Sequence, residues 1–72
     1  MNRYAIGNNI YRLLKQRHMT QRELAKRIGT HEDTLSRWIN GQRQPSAFAL
    51  LRISRVLGVS MEELMAGVDE KR

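Results

Sequence analysis

Glycine and proline restrict the fold of this sequence because they divide it into short segments. Gly29, Gly41, Pro45 and Gly58 separate stretches in which apolar residues recur every three or four positions, as they do along one face of a helix. No stretch alternates apolar and polar residues as a half-buried strand does. The sequence therefore predicts an all-α chain of short helices.

Capping signals and apolar spacing place the first two helices. Helix one is predicted over residues 4–17, and its apolar face consists of Ile6, Ile10, Leu13 and Leu14. Thr20 and Glu23 fit a capping box, in which each side chain accepts a hydrogen bond from the backbone N–H of the other residue. This box starts helix two, and Gly29 ends it because glycine suits a left-handed C-terminal position.

The remaining helices follow from the same signals. Helix three is predicted over residues 32–39, with Leu35 and Trp38 facing inward, and Ser46 caps helix four. The predicted inward face of helix four consists of Ala47, Leu50, Leu51, Ser54 and Leu57. A second capping box, Ser60 with Glu63, starts a short helix five that carries Leu64, Met65 and Val68. One domain is thus predicted over residues 1–68, followed by a frayed tail over residues 69–72.

Size and charge narrow the class of protein. The chain has 72 residues, no cysteine and a formal net charge of +6. A domain of this size buries roughly 60% of the surface that its unfolded chain exposes, so apolar packing without disulfides has to stabilise it. No apolar stretch resembles a membrane span or a secretory signal, so we expect a soluble, cytoplasmic protein without membrane association. The basic balance favours a polyanionic partner, although RNA, acidic proteins and anionic membranes fit the charge alone.

The most informative stretch is the pair of helices on either side of Gly29. Two helices joined by a turn of three or four residues must pack closely, and the small side chain of Ala25 permits that approach. Four apolar residues are predicted to fill the space beneath the turn: Leu24, Ile28, Leu35 and Trp38. This spacing predicts a helix-turn-helix motif over residues 21–41.

Several short motifs are typical of one known family. They are Met19-Thr20-Gln21, Glu23-Leu24-Ala25, Ile28-Gly29, Ser36-Arg37-Trp38, Asn40-Gly41, Pro45-Ser46, and Leu57-Gly58-Val59-Ser60 followed by Glu63-Leu64. With these motifs, residues 6–65 resemble the phage repressor and Cro family, also called the xenobiotic-response-element family of bacterial regulators. The resemblance implies a five-helix λ-repressor-like domain that binds a roughly two-fold double-stranded DNA operator as a homodimer, with helix three in the major groove.

The resemblance also implies two groups of phosphate contacts. Gln21 matches a position that holds a phosphate at the start of helix two, where free N–H groups and a partial positive charge favour an anion. Asn40 and the loop through Arg43 match a second phosphate contact, although Asn40-Gly41 could instead only end helix three. The full predicted set of phosphate-contacting residues is Gln21, Arg22, His31, Asn40, Gln42 and Arg43.

Base reading is predicted for the exposed side of helix three, at Glu32, Asp33, Thr34 and Arg37. The two carboxylates depart from the family, which usually has Gln, Ser, Arg or Asn there. A carboxylate can accept from cytosine N4, but it can also only stabilise the first turn through the helix dipole. Arg37 can pair with guanine O6 and N7, or with Asp33 one turn away. Thr34 could contact a thymine methyl group or a phosphate.

Three further predictions concern an internal ion pair, metal or catalytic sites, and a dimer interface. Leu14 and Ile39 replace, together, the partners of an internal ion pair found in many family members, a change that concerns stability. His18 and His31 lack metal-ligand spacing, and we predict no metal, no cofactor, no small-molecule ligand and no catalytic residue. The apolar residues of helix five exceed what a small core needs, so a dimer interface is predicted at Met61, Leu64, Met65 and Val68.

Two functions remain open at this point. The first is a dimeric, sequence-specific repressor or small operon controller in a phage, mobile element or restriction-modification setting. The alternative is a protein-interaction module of the antitoxin or repressor-inhibitor type, in which the same fold binds a basic protein partner through Glu32 and Asp33. Binding to upstream DNA under a salt titration would separate them.

Overall fold

The computed structural model describes residues 2–69, and within that range it is all-helical, as predicted. Five helices follow one another along the chain: α1 Ala5–Gln16, α2 Gln21–Ile28, α3 Glu32–Ile39, α4 Ala47–Leu57 and α5 Met61–Leu64. None of the helices in the described part of the chain has the length and apolar content that crossing a membrane requires. The predicted tail falls mostly on residues 70–72, which lie outside the described residues.

Both predicted capping boxes are present. The hydroxyl of Thr20 accepts from the N–H of Glu23 at 3.1 Å, and the Glu23 carboxylate accepts from the N–H of Thr20 at 2.9 Å. The same pair of bonds, 3.0 Å each, joins Ser60 and Glu63. Each box satisfies two N–H groups that the first turn of a helix would otherwise leave unpaired. The starts of α2 and α5 are therefore fixed by four residues that the sequence alone identifies.

One apolar core joins all five helices. Five large side chains in it are completely buried: Ile10, Leu24, Leu35, Ile53 and Leu64. The predicted apolar face of α1 is buried throughout, and Trp38 and Ile39 of α3 pack partly buried against the same core. Helix α1 packs against α3 and α5, while α2 packs against α3 and α4. The core therefore supports α2 and α3 from beneath and leaves their outer faces to solvent.

Gly7 lies at the closest approach of α1 to the end of α3. A Cβ atom at this position would overlap the carbonyl oxygen of Ile39 and would lie 2.6 Å from that of Trp38. The absence of a side chain is therefore what lets α1 pack directly against the backbone of α3. Sequence reasoning missed this role because the contact joins residues far apart in the chain.

The predicted inward face of α4 is partly wrong. Ile53 is completely buried and belongs to the core, whereas Ala47 is exposed and Leu51 is only half-buried. The buried positions Leu50, Ile53 and Leu57 keep helical spacing but are rotated toward Ile53 relative to the prediction. Ala47 stands at the exposed start of α4 and Leu51 stands beside the buried face, so neither side chain is buried in the core.

Helix α5 is shorter than predicted. It ends at Leu64, and residues 65–69 form turns, so Met65 and Val68 are not helical. The side chain of Asn9 in α1 donates to the carbonyl oxygens of Leu64 at 2.7 Å and Ala66 at 2.9 Å. These two bonds satisfy carbonyls at the end of α5 and hold the following turns against α1.

Candidate nucleic-acid interface

The turn between α2 and α3 has the geometry that its sequence predicts. Gly29 adopts a left-handed conformation with φ of 76°, and the N–H of Thr30 donates to the carbonyl of Ala25 at 2.9 Å. This C-terminal cap leaves three residues, 29–31, between the two helices. Arg52 of α4 donates to the carbonyl of Ile28 at 3.3 Å and so holds the end of α2. The turn at Gly29 and the contacts with the core therefore both fix the orientation of α2 relative to α3.

Helix α3 exposes the residues that we predicted to read bases. Glu32, Asp33 and Arg37 are exposed, and Thr34 is half-buried, while Leu35 between them is completely buried. Asp33 and Arg37 are one turn apart on the outer face, but no hydrogen bond joins them among those that the described side chains form. At the end of α3 the side-chain amide of Asn40 instead donates a long hydrogen bond to the hydroxyl of Ser36, at 3.5 Å. The outer face of α3 therefore presents two carboxylates in its first turn and a guanidinium in its last turn toward solvent.

The start of α2 offers donors to an anion. The capping box uses the N–H groups of Thr20 and Glu23, and it leaves those of Gln21 and Arg22 at the exposed end of the helix. Hydrogen bonds from the backbone and then from the hydroxyl of Thr20 hold the pKa of Glu23 below its ordinary value of 4.5, and Arg27 lowers it further. Gln21 is half-buried and Arg22 is exposed, so both side chains can reach a phosphate beside these N–H groups.

A groove between α2 and the start of α3 brings three of the predicted residues together. It has a volume of about 370 Å³, and Arg22, His31 and Glu32 line it together with Lys26. His31 precedes α3 in extended conformation and makes no side-chain cap bond, so its imidazole is available in this groove. Two predicted phosphate-contacting side chains thus stand beside the first residue of α3.

The end of α3 carries the second predicted group. Gly41 has φ of 77°, and the N–H groups of Gly41 and Gln42 donate to the carbonyls of Trp38 at 3.2 Å and Arg37 at 2.9 Å. These bonds end the helix, so the helix-terminating role of Asn40-Gly41 is real. The side chains of Asn40, Gln42 and Arg43 are nevertheless exposed. Because the backbone donors of the loop close the helix, contact with a phosphate would have to come from these side chains.

The predicted dimer interface changes in one residue. Leu64 is completely buried within its own chain and cannot contact a partner, which corrects that part of the prediction. It is buried because the short α5 directs this residue into the core beside α1 and α4. Met65 is exposed, and Met61 and Val68 are half-buried. These three residues remain a predicted interface.

Sequence reasoning overlooked four exposed or loop-packed side chains. Phe48 in the first turn of α4 is 78% exposed, and Tyr11 and Tyr4 are about half exposed. Tyr4 packs against Gly41, and Gln44 donates to the backbone of Arg3 across 41 positions of sequence at 2.8 Å. Local spacing carries no signal for such contacts, because they depend on where α1 starts relative to the loop after α3.

The fold and this surface define a helix-turn-helix DNA-binding transcriptional regulator. Two short helices meet at a fixed turn, and the outer face of the second lies between two groups of polar and basic side chains. The chain belongs to the helix-turn-helix family, whose model matches residues 10–64. Within residues 2–69 no cluster of three or more acidic or histidine side chains is placed to hold a metal ion.

Curated relatives carry the same description. The uncharacterized HTH-type transcriptional regulator y4dJ of Sinorhizobium fredii is 35% identical over 68 residues, which cover 94% of this chain and 88% of the relative. The uncharacterized HTH-type transcriptional regulator YqaE of Bacillus subtilis is 28% identical over 66 residues, 92% of this chain and 57% of the relative.

Solved structures share the five-helix fold. The DNA-binding domain of the P22 c2 repressor is 26% identical and superposes with a TM-score of 0.83, covering 100% of this chain and 95% of that one. The restriction-modification controller protein C.AhdI from Aeromonas hydrophila, 22% identical, superposes with a TM-score of 0.81 over 86% of this chain and 94% of that one. Apo-HppE, 26% identical, matches 89% of this chain but only 36% of its own, with a TM-score of 0.79.

Proposed function

We propose that this chain is a sequence-specific repressor or small operon controller. In this proposal it acts in the cytoplasm as a homodimer on a roughly two-fold double-stranded DNA operator, and α3 enters the major groove. The observation that carries it is the outer face of α3, where Glu32, Asp33 and Arg37 are exposed on a helix held rigidly by the core. Similarity to the DNA-binding domain of a repressor, the P22 c2 protein, supports the regulatory role.

In the proposed complex the outer face of α3 reads bases. Arg37 donates in a bidentate manner to guanine O6 and N7, the commonest specific contact of a guanidinium in the major groove. Glu32 or Asp33 accepts from cytosine N4, which makes the site prefer cytosine where an Arg, Asn or Gln side chain would pair with a purine. Thr34, half-buried beside them, contacts a thymine methyl group or the adjacent phosphate.

Two groups of side chains hold the DNA backbone on either side of α3. Gln21, Arg22 and His31 form the group at its start, and Asn40, Gln42 and Arg43 form the group at its end. Phosphate contacts on both sides fix the register of a recognition helix without reading sequence. The net charge of +6 favours the approach to a duplex before any specific contact forms.

A binding experiment with a salt titration tests this function. Selection from a pool of randomised duplexes should recover a two-fold site, and log affinity should fall linearly with log salt concentration. Arg43→Ala should weaken binding to all sequences alike and reduce the salt slope by about one unit per protomer. Arg55→Ala removes the same charge from the last turn of α4 and serves as the control. An Arg43→Ala slope equal to the native slope would contradict the contact.

The exposed acidic pair Glu32 and Asp33 favours one alternative, a protein-interaction module that binds a basic partner. In that case the native protein binds no duplex, and a Glu32→Gln, Asp33→Gln variant, with less negative charge at α3, binds DNA well. Recovery of a specific duplex by the native protein would exclude this alternative.

A further inference from the structure

The segment before α1 lies directly on the loop that follows α3. The side chain of Gln44 donates to the carbonyl oxygen of Arg3 at 2.8 Å, which ties residue 3 to the far side of the loop. The ring of Tyr4 covers Gly41 so closely that a Cβ atom on Gly41 would lie 2.8 Å from its Cε1. A second bond, from the N–H of Tyr4 to the side chain of Asn2 at 3.0 Å, stiffens the segment itself. Arg3 and Tyr4 are therefore held beside the loop rather than extended away from it.

Arg3 and Tyr4 are both exposed in this arrangement. The guanidinium carbon of Arg3 stands 5.1 Å from the centre of the Tyr4 ring, and Tyr4 as a whole is 48% exposed. A cation–π contact of this kind does not use up the N–H donors of a guanidinium, which has five of them for an acceptor. The contact with the ring also limits the rotamers of the arginine, so less side-chain entropy is lost when it binds an anion.

This pair is continuous with the loop side chains that we assign to the DNA backbone. Gly41, which Tyr4 covers, stands between Asn40 and Gln42, and Gln44 follows Arg43. We infer that Arg3 and the Tyr4 hydroxyl form a further phosphate-binding subsite, which engages the DNA backbone next to the phosphate held by Asn40, Gln42 and Arg43. The inference rests on the proposed function, because it needs DNA to be bound through the outer face of α3.

The chain supplies a matched control for this subsite. Lys15 stands over the ring of Tyr11 at 5.5 Å, so the same kind of cation and aromatic pair recurs near the other end of α1, away from the loop. Arg3→Ala and Lys15→Ala each remove one positive charge and one contact with a ring. General attraction between a basic protein and DNA affects both variants equally, whereas a direct phosphate contact affects only one.

The test is the affinity of native protein, Arg3→Ala and Lys15→Ala for the selected operator and for an unrelated duplex at several salt concentrations. Arg3→Ala should lower the salt slope by about 0.9 per protomer and weaken binding to both duplexes roughly eightfold per protomer at 0.1 M salt, since that is the effect of one phosphate contact. Lys15→Ala should leave the slope unchanged. Equal effects of the two variants would overturn the subsite and leave the proposed function standing, whereas a native protein that binds no duplex would overturn both.

Tyr4→Phe tests the hydroxyl separately from the charge. It keeps the ring over Gly41, and thermal unfolding can verify that the fold is unchanged. Loss of the hydrogen bond from the uncharged hydroxyl to the anionic phosphate should weaken binding to both duplexes roughly tenfold or more, while the salt slope stays at its native value because a hydroxyl neutralises no phosphate charge. Native affinity in Tyr4→Phe would remove the hydroxyl from the subsite.

Discussion

Glu32 and Asp33 place two carboxylates where the proposed complex needs base-reading groups. If either one accepts from a cytosine, its replacement by alanine should weaken binding to the selected operator by about 1 to 3 kcal/mol and relax the preference at one base pair. We expect this result for at least one of Glu32→Ala and Asp33→Ala. Selection from a randomised duplex pool, run in parallel for the native protein and both variants, measures it.

A purely helix-stabilising role of Glu32 and Asp33 predicts a different set of results. If both carboxylates only stabilise the first turn of α3, their removal should tighten binding to every duplex, leave base preference unchanged and lower thermal stability slightly. Glu62→Ala is the matched control, because Glu62 stands in the first turn of α5. It should show the stability effect without any change in base preference.

Residue roles that depend on local spacing could be predicted from the sequence, and those that depend on distant packing could not. Thr20 and Glu23 reveal their capping box because its two partners are three positions apart. From its sequence context Leu64 is predicted to lie in a dimer interface, whereas in the structure it is completely buried in the core. Arg3 and Tyr4 carry no local pattern at all, because their partner loop begins 37 positions after Tyr4, at Gly41.

At the scale of elements, Gly7 shows how α1 and α3 pack. Gly7→Ala would place a methyl group against the backbone of Ile39 and Trp38, which cannot move without shifting the end of α3. We expect the free energy of unfolding to fall by about 1 to 3 kcal/mol, even though alanine favours an isolated helix over glycine. Denaturant titration measures the change.

The neighbouring residue Asn8 provides the control for Gly7. It is exposed in the same turn of α1, so Asn8→Ala should be neutral or slightly stabilising. A Gly7→Ala variant as stable as Asn8→Ala would show that α1 and α3 have room between them.

The capping box of α2 makes part of the stability depend on pH. The folded chain lowers the pKa of the Glu23 carboxyl, so its contribution is complete above the ordinary value of 4.5 and is lost as the pH falls through the lowered pKa. Glu23→Gln keeps an acceptor for the Thr20 N–H but does not titrate. The difference in Tm between native protein and variant should therefore be constant near neutral pH and shrink below 4.5. A difference that stays constant into acid would contradict this origin.

The sequence predicts the presence of each helix, but it predicts less well which face of a helix is buried and where the helix ends. The spacing of Leu50 and Leu57 identifies α4, but Ala47 and Leu51 satisfy the same spacing nearly as well as Ile53. Only the position of α4 over the core decides between them. The sequence around Met65 likewise fits a longer α5. In the structure the helix ends at Leu64, and the side chain of Asn9 donates to the carbonyl oxygens of Leu64 and Ala66.

The whole molecule must pair with a second copy if it is to read a two-fold operator. A single short recognition helix contacts too few base pairs for specific binding, so we expect a homodimer whose α3 helices are about 34 Å apart. Met65→Asp should dissociate this dimer if the interface includes the turns after α5. Sedimentation without DNA measures the oligomeric state, and binding stoichiometry measures the number of copies per site.

Phe48→Asp is the control for the dimer interface. Phe48 is the more exposed apolar residue, at 78% against 39% for Met65, and it lies in the first turn of α4. Dissociation by Phe48→Asp alone would move the interface to α4. A native protein that stays monomeric at high concentration and binds DNA as one copy per site would contradict the dimer itself.

Asn2 and Val68 are joined by a backbone hydrogen bond of 2.9 Å, from the N–H of Asn2 to the carbonyl of Val68. A polypeptide that enters the domain at the first of these residues therefore leaves it beside its point of entry. A unit with this property can be spliced into a surface loop of a host protein while the two ends of that loop stay close together. Apo-HppE, of which the match covers 36%, is a larger polypeptide that includes a unit of this fold.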